Sequence, residues 1–322
     1  MKELLRKNTF YGIIQSILSS ILMIVAIPIF IKYLGPEKYG IFALYMVIGN
    51  LNVLVSSGFC APIVKYVSEQ GISRASSIDI SAGLFILISL SLSILVLFIL
   101  FDEFIIISLL SLSQDMYLSF NRLYFWLVIS NFFLLIGQAF KAVIDGLQKN
   151  YISSIHLLIY NAIYWMLIIV GAIFGADLND IGFLIFISSL VWFAMTLVTT
   201  LYLYGYFICF DSFNSFKASL IKQLSFGSKI FAGSSIFVLF EPLSKILISQ
   251  FVGIVYVGYY DIALKLKGQV ASLFARIYYP LFPFFSKEDN PKIIRSYVHD
   301  ISQKSFILIA PIVVTLIYLL KP

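Results

Sequence analysis

Runs of about 20 apolar residues, separated by short polar turns, fill the chain. A helix of about 20 residues crosses the hydrocarbon core of a bilayer. The runs are continuous, whereas the strands of a membrane β-barrel alternate in polarity over about ten residues. The pattern therefore predicts an all-α polytopic membrane protein with spans near residues 10–31, 41–63, 80–101, 123–144, 152–175, 181–208, 228–252, 257–283 and 300–320.

Composition supports lipid as the main solvent of this chain. It is 61% hydrophobic and 12% charged, with a mean hydropathy of +0.99, whereas soluble domains are about 45–50% apolar and about 25% charged. The net charge of +6 is typical of cytoplasmic loops beside anionic lipid rather than of nucleic-acid binding. With the N-terminus inside, the loops on that side collect most of the Lys and Arg residues, which predicts a multi-pass protein with a cytoplasmic N-terminus.

Two glycine turns repeat at a fixed distance. The turn "YLGPEKYGIFAL" contains Gly35 and Gly40, and "FVGIVYVGYYDIAL" contains Gly253 and Gly258, 218 residues later. The predicted spans that follow the two turns also correspond at this shift. We interpret the pattern as an internal duplication, and six intervening helices make the two copies parallel repeats about an axis along the membrane normal.

The duplication divides the chain into two predicted transmembrane lobes. Residues 1–208 form the first, with six helices, and residues 209–322 form the first three helices of the second. A second lobe equal to the first needs roughly another hundred residues, so we expect the second lobe to be incomplete in this chain.

Four motifs together resemble the polysaccharide transporter family, the Wzx-type flippases of the multidrug, oligosaccharidyl-lipid and polysaccharide exporter superfamily. They are the glycine turn, its echo "VGYYDIALKL", the loop "DGLQKNY" at 145–151 and "PLFPFFSK" at 280–287. The resemblance implies a MATE-like fold of two helical lobes in the bacterial inner membrane. It also implies a flippase that moves an undecaprenyl-diphosphate-linked oligosaccharide, an O-antigen (lipopolysaccharide) or capsule repeat unit, from the inner to the outer leaflet. Its partners would be polysaccharide polymerase and chain-length proteins.

Three other functions remain open at this point. A multidrug exporter of the same fold would line its cavity with acids to bind organic cations, whereas cations exceed acids within the spans here. A lipid II or sporulation polysaccharide exporter would share the fold. A non-transporting membrane partner would need no polar path at all.

Ionisable residues inside spans are costly and are therefore functional candidates. A lipid diphosphate needs fixed cations along its path, and Lys267 and Arg276 lack an acidic partner at helical spacing. We expect these two residues to bind the diphosphate. Because Lys267 and Glu241 both lie about 16 Å from the outer ends of their predicted spans, Glu241 is expected to act as counter-charge or proton-coupling carboxyl.

Lys245 and Lys265 are further candidates for the anion site, with Asp261 as a second counter-charge. However, Glu241 with Lys245 and Asp261 with Lys265 form acid-before-base pairs four residues apart, and such pairs neutralise one another on a helix. The sequence leaves anion binding and local pairing equally open. Arg122 and Lys141 are candidates for the two mouths of the path, although each could instead reach lipid headgroups.

Neutral polar residues recur in the spans of the first lobe. Amides suit sugar hydroxyls, but they also form hydrogen bonds between helices in lipid; these residues are Gln15, Asn50, Asn52, Asn131, Gln138 and Asn161. The chain has no phosphate-binding glycine loop, nucleophile elbow or close His and Cys spacing. It therefore predicts no catalytic residue, metal site or cofactor, and a transporter rather than an enzyme.

Overall fold

The computed structural model describes residues 2–110, 112–205, 208, 211–278, 295, 299 and 303, and helices form all of the regular structure in these ranges. A π-helix, Phe104–Leu109, lies between α4 and α5. Within the described ranges the α-helices are α1 (Lys2–Leu34), α2 (Pro36–Tyr45), α3 (Val47–Gln70), α4 (Arg74–Leu100), α5 (Gln114–Gly146), α6 (Asn150–Ile173), α7 (Leu178–Tyr204), α8 (Phe213–Phe251) and α9 (Ile254–Tyr278).

Seven stretches of the described residues are long and apolar enough to cross a membrane. They are Phe10–Leu34, Pro36–Gln70, Arg74–Leu100, Phe120–Gly146, Asn150–Ile173, Leu178–Tyr204 and Phe213–Phe251. Each overlaps one of the first seven predicted spans, so the fold class is confirmed: the chain is an all-α, multi-pass membrane protein. Large apolar side chains of these stretches are exposed, among them Met166, Tyr202 and Phe237, as contact with lipid requires.

The eighth and ninth predicted spans have different outcomes. A helix, α9, does form at the eighth predicted span. It is not among the seven candidate membrane spans, because it contains four charged residues, Asp261, Lys265, Lys267 and Arg276. The predicted span at 300–320 lies outside the described residues apart from residue 303.

Local sequence signals set the ends of several helices. Ser73 and Ser212 each form a reciprocal capping box with the serine three residues later, at the starts of α4 and α8. Asp177 does the same with Asp180 at the start of α7. A capping side chain satisfies one of the backbone N–H groups left free in a first helical turn.

The chain divides into two compact units, Met1–Lys265 and Leu266–Pro322. In the first unit, α5 packs against α7 and α3, α1 against α6, and α3 against α8. The larger core cluster gathers residues of α1, α2, α5, α6 and α7, and in it the ring of Phe30 packs against those of Tyr39 and Phe42. The predicted lobe boundary between residues 208 and 209 stays a prediction.

The two glycine turns have the same backbone role. Gly35 (φ 90°) immediately precedes α2, and Gly253 (φ 120°) immediately precedes α9. Such φ values are readily adopted only by glycine. The second glycines of the two turns meet each other: a Cβ on Gly258 would lie 3.4 Å from the backbone of Gly40. The two positions that the predicted duplication makes equivalent are therefore in contact.

Candidate functional site

A cavity of about 400 Å³ opens within the first unit. Its volume lies in the range of about 300–1,000 Å³ typical of small-molecule sites. Helices α2, α3, α5, α6 and α7 supply most of its wall, and α8 and α9 supply the rest. The polar and aromatic lining residues are Tyr45, Asn52, Ser56, Ser130, Asn131, Gln138, Tyr160, Asn161, Tyr164, Trp165, Glu241, Lys245, Asp261 and Lys265.

A network of charged groups forms the part of the wall that α8 and α9 contribute. Asp261 is buried and binds one lysine on each carboxylate oxygen: Oδ1 lies 2.7 Å from Nζ of Lys245, and Oδ2 lies 2.6 Å from Nζ of Lys265. The Tyr39 hydroxyl donates a hydrogen bond of 2.7 Å to Oδ2 and accepts one of 3.3 Å from Lys265. Asp261 thus has three partners, one of them from α2.

Lys245 extends this network to a second carboxylate. Its Nζ lies 2.7 Å from Oε1 of Glu241, one helical turn away on α8. The Lys245 side chain is 2% exposed, whereas that of Glu241 is 39% exposed. We call Glu241, Lys245, Asp261 and Lys265 the charge network. Its charges alternate in sign and cancel formally, which is how buried ions are tolerated in a medium of low dielectric constant.

The sequence left open whether Lys245 and Lys265 bind an anion or pair with carboxylates of the protein, and the structure favours pairing. Lys245 and Lys265 both contact carboxylates, and Glu241 contacts Lys245. The i,i+4 spacing predicted the pairs Glu241–Lys245 and Asp261–Lys265, but not the bond from Lys245 across to Asp261 on the next helix.

Sequence reasoning missed Tyr39 as a member of this site. Its ring packs against Phe30 and Phe42, and its hydroxyl reaches Asp261. The signal that could have found it is its position in the first glycine turn, directly before Gly40. The close contact of the two turns carries the Tyr39 hydroxyl to α9.

The wall that α3, α5 and α6 contribute is neutral. Asn52 donates hydrogen bonds to Asn131, and the Asn161 amide donates one of 2.9 Å to Ser19, so these amides join helices as the alternative interpretation predicted. Gln138 has no hydrogen-bond partner in the part of the chain that the structure describes. The Tyr45 hydroxyl is buried and likewise unpartnered there.

The remaining predicted residues lie elsewhere. Arg122 is exposed, and Lys141 binds Asp145 four residues on, at 2.6 Å. Lys267 is exposed and lies in the second unit. Arg276 belongs to α9, but its side chain is outside the described residues, as is that of Asn50. Gln15 is buried in α1 and donates to Ser19.

No group of three His, Cys, Asp or Glu side chains suited to a metal ion occurs among the residues that the structure describes. His156 is buried in α6, and its Nε2 lies 3.2 Å from the Thr199 hydroxyl. That contact joins α6 to α7.

Comparisons with known proteins bear on this site. The family described as "Polysaccharide biosynthesis protein" matches residues 5–288. A solved chain described as "protein A" is similar in structure, with a TM-score of 0.67 and 15% sequence identity. The similarity covers 86% of this chain and 63% of that chain, so this chain spans less than two thirds of its length. At this identity the likeness shows the fold alone. None of the curated proteins matches the chain significantly.

Proposed function

We propose, from the premise that this chain belongs to the polysaccharide biosynthesis protein family, that it is a flippase for a lipid-linked oligosaccharide. Its substrate would be an undecaprenyl-diphosphate-linked O-antigen or capsule repeat unit. It would move this substrate from the inner to the outer leaflet of the bacterial inner membrane, with its own N-terminus in the cytoplasm. Polysaccharide polymerase and chain-length proteins would take the product.

One observation carries the proposal beyond the family: a cavity lined by amides, hydroxyls and aromatic rings lies among helices whose outer faces are apolar. A glycan needs hydrogen-bonding groups to replace water as it leaves the aqueous phase, since each unsatisfied polar group costs free energy in hydrocarbon. The isoprenoid tail needs no such path, because it can stay in lipid. A polar cavity inside an apolar bundle suits this division of the substrate.

Transport of this kind makes and breaks no covalent bond. The protein has to bind the glycan, move it across and release it, which requires contacts weak enough to exchange. Neutral hydrogen bonds of about 0.5–1.5 kcal/mol net each meet this requirement. We therefore propose a transporter without catalytic residues, in which the cavity-lining amide of Gln138, without a partner among the described residues, provides exchangeable contacts.

The diphosphate is assigned to Lys267 and Arg276. Lys245 and Lys265 already contact carboxylates, so an anion would have to compete with those ion pairs. Lys267 is exposed, and no acidic residue lies three or four positions from it along α9. In this proposal Glu241 is the counter-charge of Lys245. Lys265 contacts one carboxylate, whereas Lys245 contacts two.

A second candidate is a multidrug exporter of organic cations, and one observation favours it. The Glu241 side chain is the most exposed member of the charge network, at 39%, and a carboxylate in a cavity attracts cations. Binding of a lipophilic cation that Glu241→Gln abolishes, without any oligosaccharide transport, would favour this function over ours.

Lys267→Ala is expected to abolish most oligosaccharide transport while the protein still inserts normally, and Lys267→Arg should retain part of it because the positive charge survives. The measurement is surface polysaccharide in cells that lack the gene and carry each variant, together with the lipid-linked oligosaccharide that accumulates. Lys229→Ala, which removes an exposed lysine of α8, is the matched control and should support normal export. Normal export by Lys267→Ala would remove Lys267 from the proposed anion site.

A further inference from the structure

We infer that the cavity selects uncharged glycans and discriminates against repeat units whose sugars carry a carboxylate or phosphate. This inference rests on the proposed function, because it specifies which oligosaccharides the flippase would accept. It departs from the sequence-based expectation of an anion-binding cavity. Two independent features of the cavity wall support it. The lysines of the charge network are already paired with carboxylates, and the neutral part of the wall can form hydrogen bonds.

The charge network offers an anion no uncommitted cation. The two lysines are held at 2.6–2.7 Å by carboxylates, and their formal charges cancel those of Glu241 and Asp261. Glu241 lines the cavity and has the most exposed side chain of the network, at 39%, against 26% for Lys265 and 2% for Lys245. An acidic sugar beside this network would lose hydration next to an exposed carboxylate, without gaining an ion pair.

The neutral wall, by contrast, suits hydroxyl groups. Gln138 lines the cavity with an amide, which is both donor and acceptor and has no hydrogen-bond partner among the described residues. Its side chain is half-buried, so a glycan that displaces water from this amide has to replace the hydrogen bonds of that water. A sugar hydroxyl can donate to and accept from an amide at once, so a bound glycan would supply these partners.

Aromatic rings complete the neutral wall. Tyr160 and Tyr164 lie one turn apart on α6, with ring centroids 5.9 Å apart, and Trp165 packs edge-on against Tyr164 at 5.0 Å. The faces of such rings carry partial negative charge and attract the polarised C–H groups of a neutral sugar ring. The same faces repel an anionic substituent, so the aromatic groups and Glu241 select in the same direction.

Binding of two lipid-free oligosaccharides to the purified protein in nanodiscs tests the inference. One probe is a neutral tetrasaccharide of hexoses, and the other is the same tetrasaccharide with one hydroxymethyl group oxidised to a carboxylate. Calorimetric titration should give tighter binding of the neutral probe by about tenfold or more. That factor is of the order expected for one charge near another at an effective dielectric constant of about 20–40.

Charge variants of the network should shift this preference in opposite directions. Glu241→Gln leaves one net positive charge and should move the affinity ratio about tenfold towards the acidic probe. Lys265→Gln leaves one net negative charge and should move it further towards the neutral probe. Gln138→Leu should weaken the binding of both probes. The control is Gln114→Leu, at an exposed position of the same helix, which should weaken the binding of neither.

Each outcome bears on the inference separately from the proposed function. Equal affinity for the two probes, a ratio that neither charge variant shifts, or no binding of either probe at millimolar concentration would overturn the inference, even if lipid-linked oligosaccharide is translocated. A neutral preference that shifts as expected would support it, even if translocation fails and the flippase proposal falls.

Discussion

Lys245→Met is expected to destabilise the protein by about 3–5 kcal/mol, the largest loss expected for any single substitution in the charge network. Lys245 is 2% exposed, and its ammonium group lies between the carboxylates of Glu241 and Asp261. Removing it leaves Asp261 buried with Lys265 as its remaining cation. Thermal unfolding and limited proteolysis in detergent micelles measure the loss.

Two controls separate loss of the ion pairs from loss of a side chain. Lys229→Met removes an exposed lysine of the same helix and should leave the unfolding temperature nearly unchanged. Asp261→Asn combined with Lys245→Met removes the uncompensated charge and should recover part of the lost stability. If Lys245→Met is as stable as the unsubstituted protein, the charge network does not hold α8 to α9.

Gly40→Ala is expected to destabilise the protein by about 1–3 kcal/mol, because the added methyl group has no space. A Cβ at this position would lie 2.2 Å from the Ile254 carbonyl oxygen, which is backbone and cannot rotate away. The start of α9 would have to move from α2, and with it the contact between Tyr39 and Asp261. Both the unfolding temperature and oligosaccharide transport should fall.

The matched control is the same substitution at a glycine that has space around it. A Cβ on Gly233, within α8, would meet nothing within 4 Å. Gly233→Ala should therefore stabilise the protein by about 0.5–1 kcal/mol through helix propensity alone. A lower stability of Gly40→Ala together with a higher stability of Gly233→Ala would support the close contact of the two glycine turns. Equal stability of the two variants would contradict it.

The helices could be predicted from the sequence because lipid imposes a single requirement on each span. Twenty apolar residues cannot satisfy their backbone groups in hydrocarbon except as a helix or a closed barrel. The first seven predicted spans each correspond to a candidate span in the structure for this reason. The charged α9 shows where the criterion weakens, since its buried Asp261 is paired with Lys245 of α8 and Lys265 of α9, and composition alone cannot register such pairs.

The contacts of the site could be predicted only within single helices. The spacing of Glu241 and Lys245 fixes their proximity, as does that of Asp261 and Lys265. The bond from Lys245 to Asp261 and the hydrogen bond from Tyr39 depend on how α2, α8 and α9 pack, which periodicity does not encode. The sequence therefore suggested an excess of cations, whereas the cavity itself has balanced charge.

The two glycine turns could be predicted in part. Their spacing predicted a repeat, and the positive φ values of Gly35 and Gly253 agree with it. If a pseudo-twofold axis relates the two predicted repeats, equivalent residues can meet only on that axis. The contact between Gly40 and Gly258 could have been predicted by placing both glycines there. The roles of Lys267 and Arg276 in binding a diphosphate remain proposals from sequence.

Translocation by the purified protein in proteoliposomes tests the central claim most directly. Undecaprenyl-diphosphate-linked oligosaccharide is placed in both leaflets, and the fraction that an added glycosidase can reach from outside is measured over time. The account predicts that this fraction rises from about half towards completion with the unsubstituted protein and with Trp126→Leu, whose side chain packs against Phe183 and Phe186 away from the cavity. Trp165→Leu, within the cavity, should slow the rise strongly. A fraction that stays near one half with the unsubstituted protein, or equal rates for the two tryptophan variants, would contradict the claim that this cavity carries the glycan across the membrane.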